Sequence, residues 1–382
     1  MTPHPIILGV FITIAAVYTV IMLVMTIGIF RSRKNITPAD LPATKVTVII
    51  PARNEELNIF NTLQDLALQD YPSDLYEVIL VDDGSTDGTQ EIAERFRQGC
   101  PGFHLTILST GKGNQGRTFK KEAIRMAILK AAGELILTTD ADVRTGKSWI
   151  SSVVATYERS RPKMILGPVA FHNEHNFFTR IQSLEFMALM TATAGLCRVG
   201  MPVMCNGANL AYEKKAFTES GGFDDNLGFP SGDDMFLMSK FRKRYGAGAV
   251  RFLWDEKSVV RTDAVPTFDG FWQQRVRWVS KNKGYRDFTI LFVAIVTYLF
   301  NFILLAGLVA GIFSKAVLFL TIILFALKMV IEFPALWKMA GLPGKRKLLW
   351  LVPVVQLLNV IYVSVVGLVG NFLSYEWKGR KS

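Results

Sequence analysis

The chain has 382 residues, half of them hydrophobic, and its 43 Lys plus Arg against 32 Asp plus Glu leave a net charge of +11. That apolar fraction excludes an intrinsically disordered chain, which needs low hydrophobicity, and the positive mean hydropathy argues against a purely soluble one. Three cysteines, Cys100, Cys197 and Cys205, are too few and too scattered for a disulfide framework or a zinc knuckle, and they fit a reducing compartment as small buried hydrophobes.

The elements follow in chain order. Pro5–Phe30 carries no charged residue and is long enough to span a bilayer with tilt. A cleaved signal peptide would have positive charge before a shorter apolar run. Here Arg31, Arg33 and Lys34 follow the run, which predicts a retained anchor, a transmembrane helix over residues 5–30. From about 43 to 285 strand and helix signals alternate. Lys45–Ile50, Glu77–Val81, His104–Leu108 and Glu134–Thr138 read as strands; Glu56–Gln69, Thr89–Arg97 and Phe119–Ala132 read as helices. Near-continuous apolar strands separated by helices predict one α/β domain, Rossmann-like, with a mostly parallel sheet buried on both faces.

Phe177–Ala194 has apolar residues at helical spacing and reads first as a core helix, second as a helix lying on the membrane surface. Three apolar runs, Phe288–Phe313, Ala316–Trp337 and Leu348–Leu373, make residues 288–373 a C-terminal region of about three transmembrane helices. Lys328 and Glu332 interrupt the second run at i, i+4. They either satisfy each other on one helix face or line a polar path. Basic flanks at Arg31–Lys34, Lys281–Arg286 and Lys338–Lys347 place the α/β domain in the cytoplasm of an integral membrane protein, at the plasma (inner) membrane. Three crossings after the domain would then put the basic tail Lys378–Lys381 outside, unless Leu348–Leu373, with Pro353 and Asn359, is re-entrant. These flanks account for the basic excess. No basic helix interleaved with aromatics is present, and no nucleic acid is expected as a partner.

In parallel sheets of this kind ligands bind past the carboxyl ends of the strands. Polar clusters stand there: Pro51-Ala52-Arg53-Asn54-Glu55 after the first strand, Asp82-Asp83-Gly84-Ser85-Thr86-Asp87-Gly88 after the second, and Asp140-Ala141-Asp142 after the fourth. Each could be helix capping. Three together would crowd one crevice with carboxylates that repel unless a cation sits among them. Alternate residues leaving a strand face one way, so Asp140 and Asp142 can hold Mg²⁺ or Mn²⁺ bridging a diphosphate. Without a P-loop lysine or a Gly-x-Gly-x-x-Gly, ATP hydrolysis and dinucleotide binding lose ground. His172 and His175 have no third ligand in a context that would support zinc.

The strings VIIPARNEE, VDDGSTDGT, TTDADV, SGDDMFL and QQRVRW, in this order, resemble a family 2 glycosyltransferase with a GT-A fold, over essentially the whole middle region. The resemblance implies an inverting transfer from a nucleotide-diphosphate sugar, usually UDP-linked, assisted by Mg²⁺ or Mn²⁺. It assigns Pro51, Asn54 and Glu55 to the nucleotide-binding turn and Asp83 to the uracil, with Asp82 beside it. It makes Asp140 and Asp142 the D-x-D, Asp142 being the direct metal ligand. Asn114-Gln115-Gly116-Arg117 resembles a Gly-Lys stretch with Arg117 in the lysine's place, still able to hold a phosphate.

Inversion needs a base on the acceptor hydroxyl. In Ser231-Gly232-Asp233-Asp234-Met235 two carboxylates open a helix, which alone could be capping and dipole complement. The resemblance makes Asp234 the base, with Asp233 where the family more often has Glu. In Gln274-Arg275-Val276-Arg277-Trp278, Gln274, Arg277 and Trp278 share a helix face, suited to a departing diphosphate and an acceptor sugar; interfacial anchoring is the plainer reading of Trp272 and Trp278. Cys205-Asn206-Gly207-Ala208-Asn209 resembles the acceptor-side loop, with Asn206 and Gly207 nearest the ligand. The membrane layout resembles ceramide-type glucosyltransferases acting once on a lipid acceptor. A processive synthase of the cellulose, hyaluronan or poly-N-acetylglucosamine kind, extending a growing glycan with help from an oligomer or partner subunit, is the alternative. A non-catalytic nucleotide-sugar-binding membrane scaffold is the reading from another class.

Overall fold

The structure, a computed structural model, describes residues 5–32, 43–110, 120–224, 232–280, 287–369, 376–377 and 380–381. The chain packs as two units: Arg33–Asn173, Met204–Ala264 and Glu376–Ser382 form one, and Met1–Ser32, Glu174–Val203 and Val265–Tyr375 form the other. The sequence reading gives 43–285 to a single domain. The structure instead groups 174–203 and the stretch from 265 with the apolar helices.

The N-terminal apolar run is helix α1 (Pro5–Arg31). In the α/β unit β1 (Val46–Ala52), α2 (Ile59–Ala67), β2 (Tyr76–Asp82), α3 (Thr89–Gly99), β3 (Leu105–Ser109), α4 (Lys120–Lys130) and β4 (Leu135–Thr138) alternate as their sequence implies. Val46, Val48, Ile49 and Ile50 of β1 are buried on both faces of the sheet, as helices packed on either side require. After β5 (Val143–Arg144) and α5 (Trp149–Ser160) come the short strands β6 (Met164–Leu166) and β7 (Val169–His172). Helix α6 (Phe177–Arg198) leaves for the other unit, and β8 (Leu210–Glu213), α7 (Lys214–Glu219), α8 (Asp233–Tyr245), β9 (Val250–Phe252) and β10 (Val260–Asp263) complete this one.

The main sheet runs β3-β2-β1-β4-β8-β6-β9. β3, β2, β1 and β4 are mutually parallel, while β8 is antiparallel to both β4 and β6. The chain moves from β1 outward to β3, then returns to β4 on the other side of β1. In open α/β sheets ligands bind at such a reversal, here at the carboxyl ends of β1 and β4. A second sheet, β5-β10-β7, receives the chain directly after the D-x-D.

The helical unit contains α1, α6, α9 (Phe268–Ser280), α10 (Phe288–Gly311), α11 (Lys315–Gly341) and α12 (Val352–Val369), the last entered through a 3₁₀ turn at Arg346–Leu351. Four of its segments, Gly9–Arg31, Phe288–Gly311, Lys315–Gly341 and Arg346–Leu368, are long and apolar enough to cross a membrane. Helix α6 is a core helix of this unit and not of the α/β unit: its Leu184 and Met187 pack with Leu336, Ala340, Leu349 and Val355. An Asn176–Thr179 capping box starts it.

Lys328 and Glu332 do satisfy each other, at 2.7 Å, but not alone. Glu332 also accepts from the Tyr18 hydroxyl of α1 and the Gln356 amide of α12, and Lys328 donates to Gln356. Buried polar groups without water must find such partners, so this network ties three helices together. Small residues let the helices approach: a Cβ on Gly28 of α1 would lie 2.0 Å from the Gly195 carbonyl oxygen of α6. Gly28→Val is therefore expected to lower stability by about 1–3 kcal/mol. Gly9→Val, whose Cβ would meet nothing within 4 Å, should leave it unchanged. Thermal unfolding of both variants in one lipid mimetic checks this contrast.

Candidate functional site

The loops after β1 and β2 are fastened to each other. Pro51 closes β1 opposite Val81. Arg53 donates to the Asp83 carbonyl at 2.6 Å. Asn54 has φ +52°, a conformation asparagine tolerates better than most residues, and uses it to donate to Ser85 Oγ (3.0 Å) while its Oδ1 accepts from Thr86 N (2.9 Å). Glu55 is buried and its amide donates to Thr89 Oγ1 at 2.7 Å. Asp87 accepts from Glu56 N and Thr89 N, both at 3.1 Å. Burial opposes the charge of Asp87, but the Thr89 hydroxyl, which donates to Oδ1 at 2.5 Å, and then these backbone bonds outweigh it and hold its carboxyl below the usual aspartate range.

Asp82 and Asp83 are both buried. Asp82 uses its carboxylate inside its own loop, accepting from Ser85 N at 3.2 Å. That bond, three residues on, closes the loop after β2 on itself. Asp83 accepts from Thr110 Oγ1 at 3.3 Å across the end of β3.

β4 ends at Thr138, so Asp140 and Asp142 do not leave along a straight strand. They lie on the turn into β5, pinned by Thr62 Oγ1, which donates to the Ala141 and Val143 carbonyls at 2.8 and 3.0 Å. Ala141 is buried, Asp140 half-buried and Asp142 exposed.

A residue the sequence reading passes over completes this region. Lys120, first in α4, donates to Asp140 Oδ1 at 2.5 Å. Burial works against its charge, but Asp140, then Asp233 and Asp234, hold the ammonium well above the usual lysine range. The sequence reading assigns the expected cation to Arg117, so nothing draws attention to Lys120. Arg117 and Ser231 lie outside the described residues.

Gly232, with φ +85°, precedes α8 and lets Asp233 and Asp234 occupy its first turn. Gly232 itself occupies the N-cap position and offers no side chain, so both carboxylates lie inside the first turn, where the dipole favours their charges. Asp234 Oδ2 accepts from Gly207 N at 3.2 Å and Oδ1 from Met235 N at 2.8 Å. The loop that brings Gly207 here is pinned to the end of β4 by Thr139 Oγ1, which donates to the Ala208 carbonyl at 2.8 Å. Asn206 Oδ1 turns back on Ala208 N (2.9 Å), and Asn209 is locked by Trp149 Nε1 at 3.0 Å. A Cβ on Gly207 would stand 3.5 Å from Lys120 Nζ and 3.9 Å from Asp233 Oδ2. The glycine thus faces a space bounded by one cation and the acidic pair.

Gln274, Arg275, Arg277 and Trp278 lie on α9 in the helical unit. Gln274, Arg277 and Trp278 are half-buried, whereas Arg275 is 0% exposed and paired with Glu185 of α6. The guanidinium of Arg275, which the motif groups with Gln274, Arg277 and Trp278 on the acceptor and diphosphate side, is engaged by Glu185 and Gln274.

Residues 47–220 match the family described as glycosyl transferase family 2, and residues 135–365 match glycosyl transferase family group 2. A beta-monoglucosyldiacylglycerol synthase of Synechocystis sp. is 27% identical over 63% of this chain and 48% of its own length. A probable glycosyltransferase of Bacillus subtilis, YdaM, is 26% identical over 64% of this chain and 56% of its own. The chain spans about half the length of the curated relatives it matches. A mannosyltransferase from Pyrobaculum calidifontis, solved in complex with GDP-Man and Mn²⁺, has the same fold at a TM-score of 0.57, with 19% identity over 94% of this chain and 98% of that one.

The Lys120 contribution to stability is complete below the ordinary lysine range, near 10.4, and is lost as pH rises through the raised folded value. Lys120→Met should therefore cost about 1–2 kcal/mol at pH 7. Its gap to the unsubstituted chain should close only above about pH 10.5. Unfolding midpoints from pH 7 upward check this; coincident midpoints at pH 7 would contradict it.

Proposed function

The chain belongs to glycosyltransferase family 2, and from that premise we propose that it moves a sugar, with inversion, from a UDP-sugar to a membrane lipid at the cytoplasmic face. The observation that carries this reading is the gathering of Lys120, Asp140, Asp233 and Asp234 about Gly207, beside the β1–β4 crevice.

Asp234 is the base. Backbone N–H groups from Gly207 and Met235 each hold one of its oxygens, fixing the carboxylate while leaving lone pairs for the acceptor hydroxyl's proton. That proton leaves as the hydroxyl oxygen bonds to the anomeric carbon and the carbon–diphosphate bond breaks. Asp233 and the open Gly207 position shape the acceptor side, with Asn206 next to them. Pro51, Asn54, Glu55 and Asp83 form the nucleotide side, where Asp83 offers an acceptor to the uracil and Asp82 supports its loop.

The donor set suits Mg²⁺ or Mn²⁺. Asp140 and Asp142 supply hard oxygens, and among the described residues no group of three or more His, Cys, Asp or Glu is set for a metal. An ion held by one or two carboxylates and completed by phosphate oxygens fits that pair. When bound, it supplies positive charge to the departing diphosphate. Lys120 adds a fixed cation beside Asp140.

The lipid acceptor is supported by the four membrane-length helices and by the named activity of the diacylglycerol-glucosylating relatives. The Gln274–Trp278 string also fits a polymer synthase, which would extend a growing glycan and need an oligomer or partner subunit for its channel. Asp234→Asn is expected to reduce turnover by about 10²–10⁴-fold while donor binding survives, as measured by transfer of labelled sugar and by calorimetry. Retained transfer would remove the base assignment, and unchanged biological output would favour a non-catalytic scaffold. Asp142→Ala should weaken metal-dependent UDP binding. Indifference of that binding to both metal and substitution would remove the metal site.

A further inference from the structure

We infer that the turn joining α11 to α12 is a binding site for the phosphate of an anionic membrane phospholipid, with Arg346, set over the Trp337 ring, as its fixed cation. The inference lies wholly within the helical unit and is independent of the glycosyl-transfer reading above. It needs only that the four apolar helices lie in a bilayer.

Lys315–Gly341 and Arg346–Leu368 are both long enough to cross a membrane, so the turn between them stands where apolar helix gives way to polar surroundings. Tryptophans favour that level, and Trp337 and Trp350 flank the turn, both exposed. The region is strongly basic. It holds Lys338, Lys345, Arg346 and Lys347, and no Asp or Glu occurs between Glu332 and Glu376. Lys338 and Lys345 are engaged inside the protein: the first donates to the Phe30 and Ser32 carbonyls, and the second pairs with Glu174 and reaches Ser183 Oγ at 3.4 Å. Arg346 and Lys347 are exposed, and among the described residues neither meets a carboxylate.

The position of Arg346 is set by its neighbours. Its guanidinium carbon lies 4.2 Å from the Trp337 ring centroid. A Cβ on Gly341 would stand 2.7 Å from Arg346 Nη2 and 3.1 Å from its Cζ and Nε, so the guanidinium fills space that a glycine leaves. A cation–ring contact consumes no N–H donor, and the fork is kept for two parallel bonds to a phosphate. The turn itself is held in place. The Lys345–Glu174 pair ties it to the segment entering α6, and Leu349, Leu351 and Val352 pack with Leu184 and Met187 of that helix. An ordered donor fork beside exposed tryptophans and a second cation, Lys347, suits a phosphodiester at the bilayer surface.

The test titrates the full chain in detergent micelles with dioleoylphosphatidylglycerol, and with dioleoylphosphatidylcholine as the neutral counterpart. Native mass spectrometry reads bound lipid, and the unfolding midpoint reads folding. The unsubstituted chain is expected to bind the anionic lipid at least about tenfold more tightly than the neutral one. Arg346→Gln/Lys347→Gln should lose that preference. Lys315→Gln, which removes an exposed charge at the opposite end of α11, should keep it. Gly341→Ala keeps every charge but pushes the guanidinium aside. It should unfold at the same midpoint and bind the anionic lipid at least about threefold more weakly, and it carries the test if the double variant does not fold. Equal affinity for the two lipids, or equal losses in Lys315→Gln and the double variant, would overturn the site. Full binding by Gly341→Ala would overturn the role of Arg346 as a placed cation. Displacement of the lipid by glycerol 3-phosphate at the same concentration would assign the site to a free phosphate and overturn the lipid as its ligand. None of these readouts involves sugar transfer, so the glycosyltransferase reading stands or falls separately.

Discussion

Carboxylates brought together at the open end of a sheet repel one another, and the α/β unit is organised around answering that repulsion. Asp140 comes from the turn after β4; Asp233 and Asp234 come from the first turn of α8. The ammonium of Lys120 bonds the first and lies within electrostatic reach of the other two. The β1–β4 reversal of strand order, the glycine that opens α8 and the Thr139 bond that pins the Gly207 loop all serve to hold these groups in place. Without such supports the acidic residues would separate into solvent, where nothing would favour their proximity.

The helical unit meets a different constraint. Polar side chains buried among its apolar helices are out of reach of water, so each has a partner or a cost. Tyr18, Lys328, Glu332 and Gln356 answer it with one shared network, and Glu185 with Arg275 answer it with an ion pair. Lys338 caps the end of α1 by donating to the Phe30 and Ser32 carbonyls at 3.1 and 3.3 Å. These contacts join segments that are far apart in sequence, which makes the unit a single packed body assembled from three stretches of chain.

Which parts were legible follows from this. β1, β2 and β4 could be read because each is a mostly apolar run, and α2 and α3 because each has one apolar face. β6 to β10 could not, since strands of three or four residues carry no periodicity. The helix over Phe177–Arg198 was readable as a helix, but its membership was not. Gln182 and Glu185 look like surface residues until Val265 and Arg275 arrive from more than 80 residues away to bury them. The motif text singled out Asp140, Asp233 and Asp234, which the fold brings to Lys120, and Asp82, whose carboxylate accepts from Ser85 within its own loop. Lys120 was hidden by its neighbour in the text, Arg117, which seemed to account for the expected cation.

The central claim is that the acidic pair opening α8 serves sugar transfer to a lipid. The most direct measurement supplies purified protein in native lipid with Mg²⁺ or Mn²⁺ and a panel of labelled UDP-sugars, and follows the label. The account predicts label in an organic-extractable species carrying one added sugar, and its loss in Asp234→Asn. Label in a large, water-soluble, glycosidase-sensitive product would contradict the lipid acceptor, and label left wholly in the donor would contradict the transfer itself.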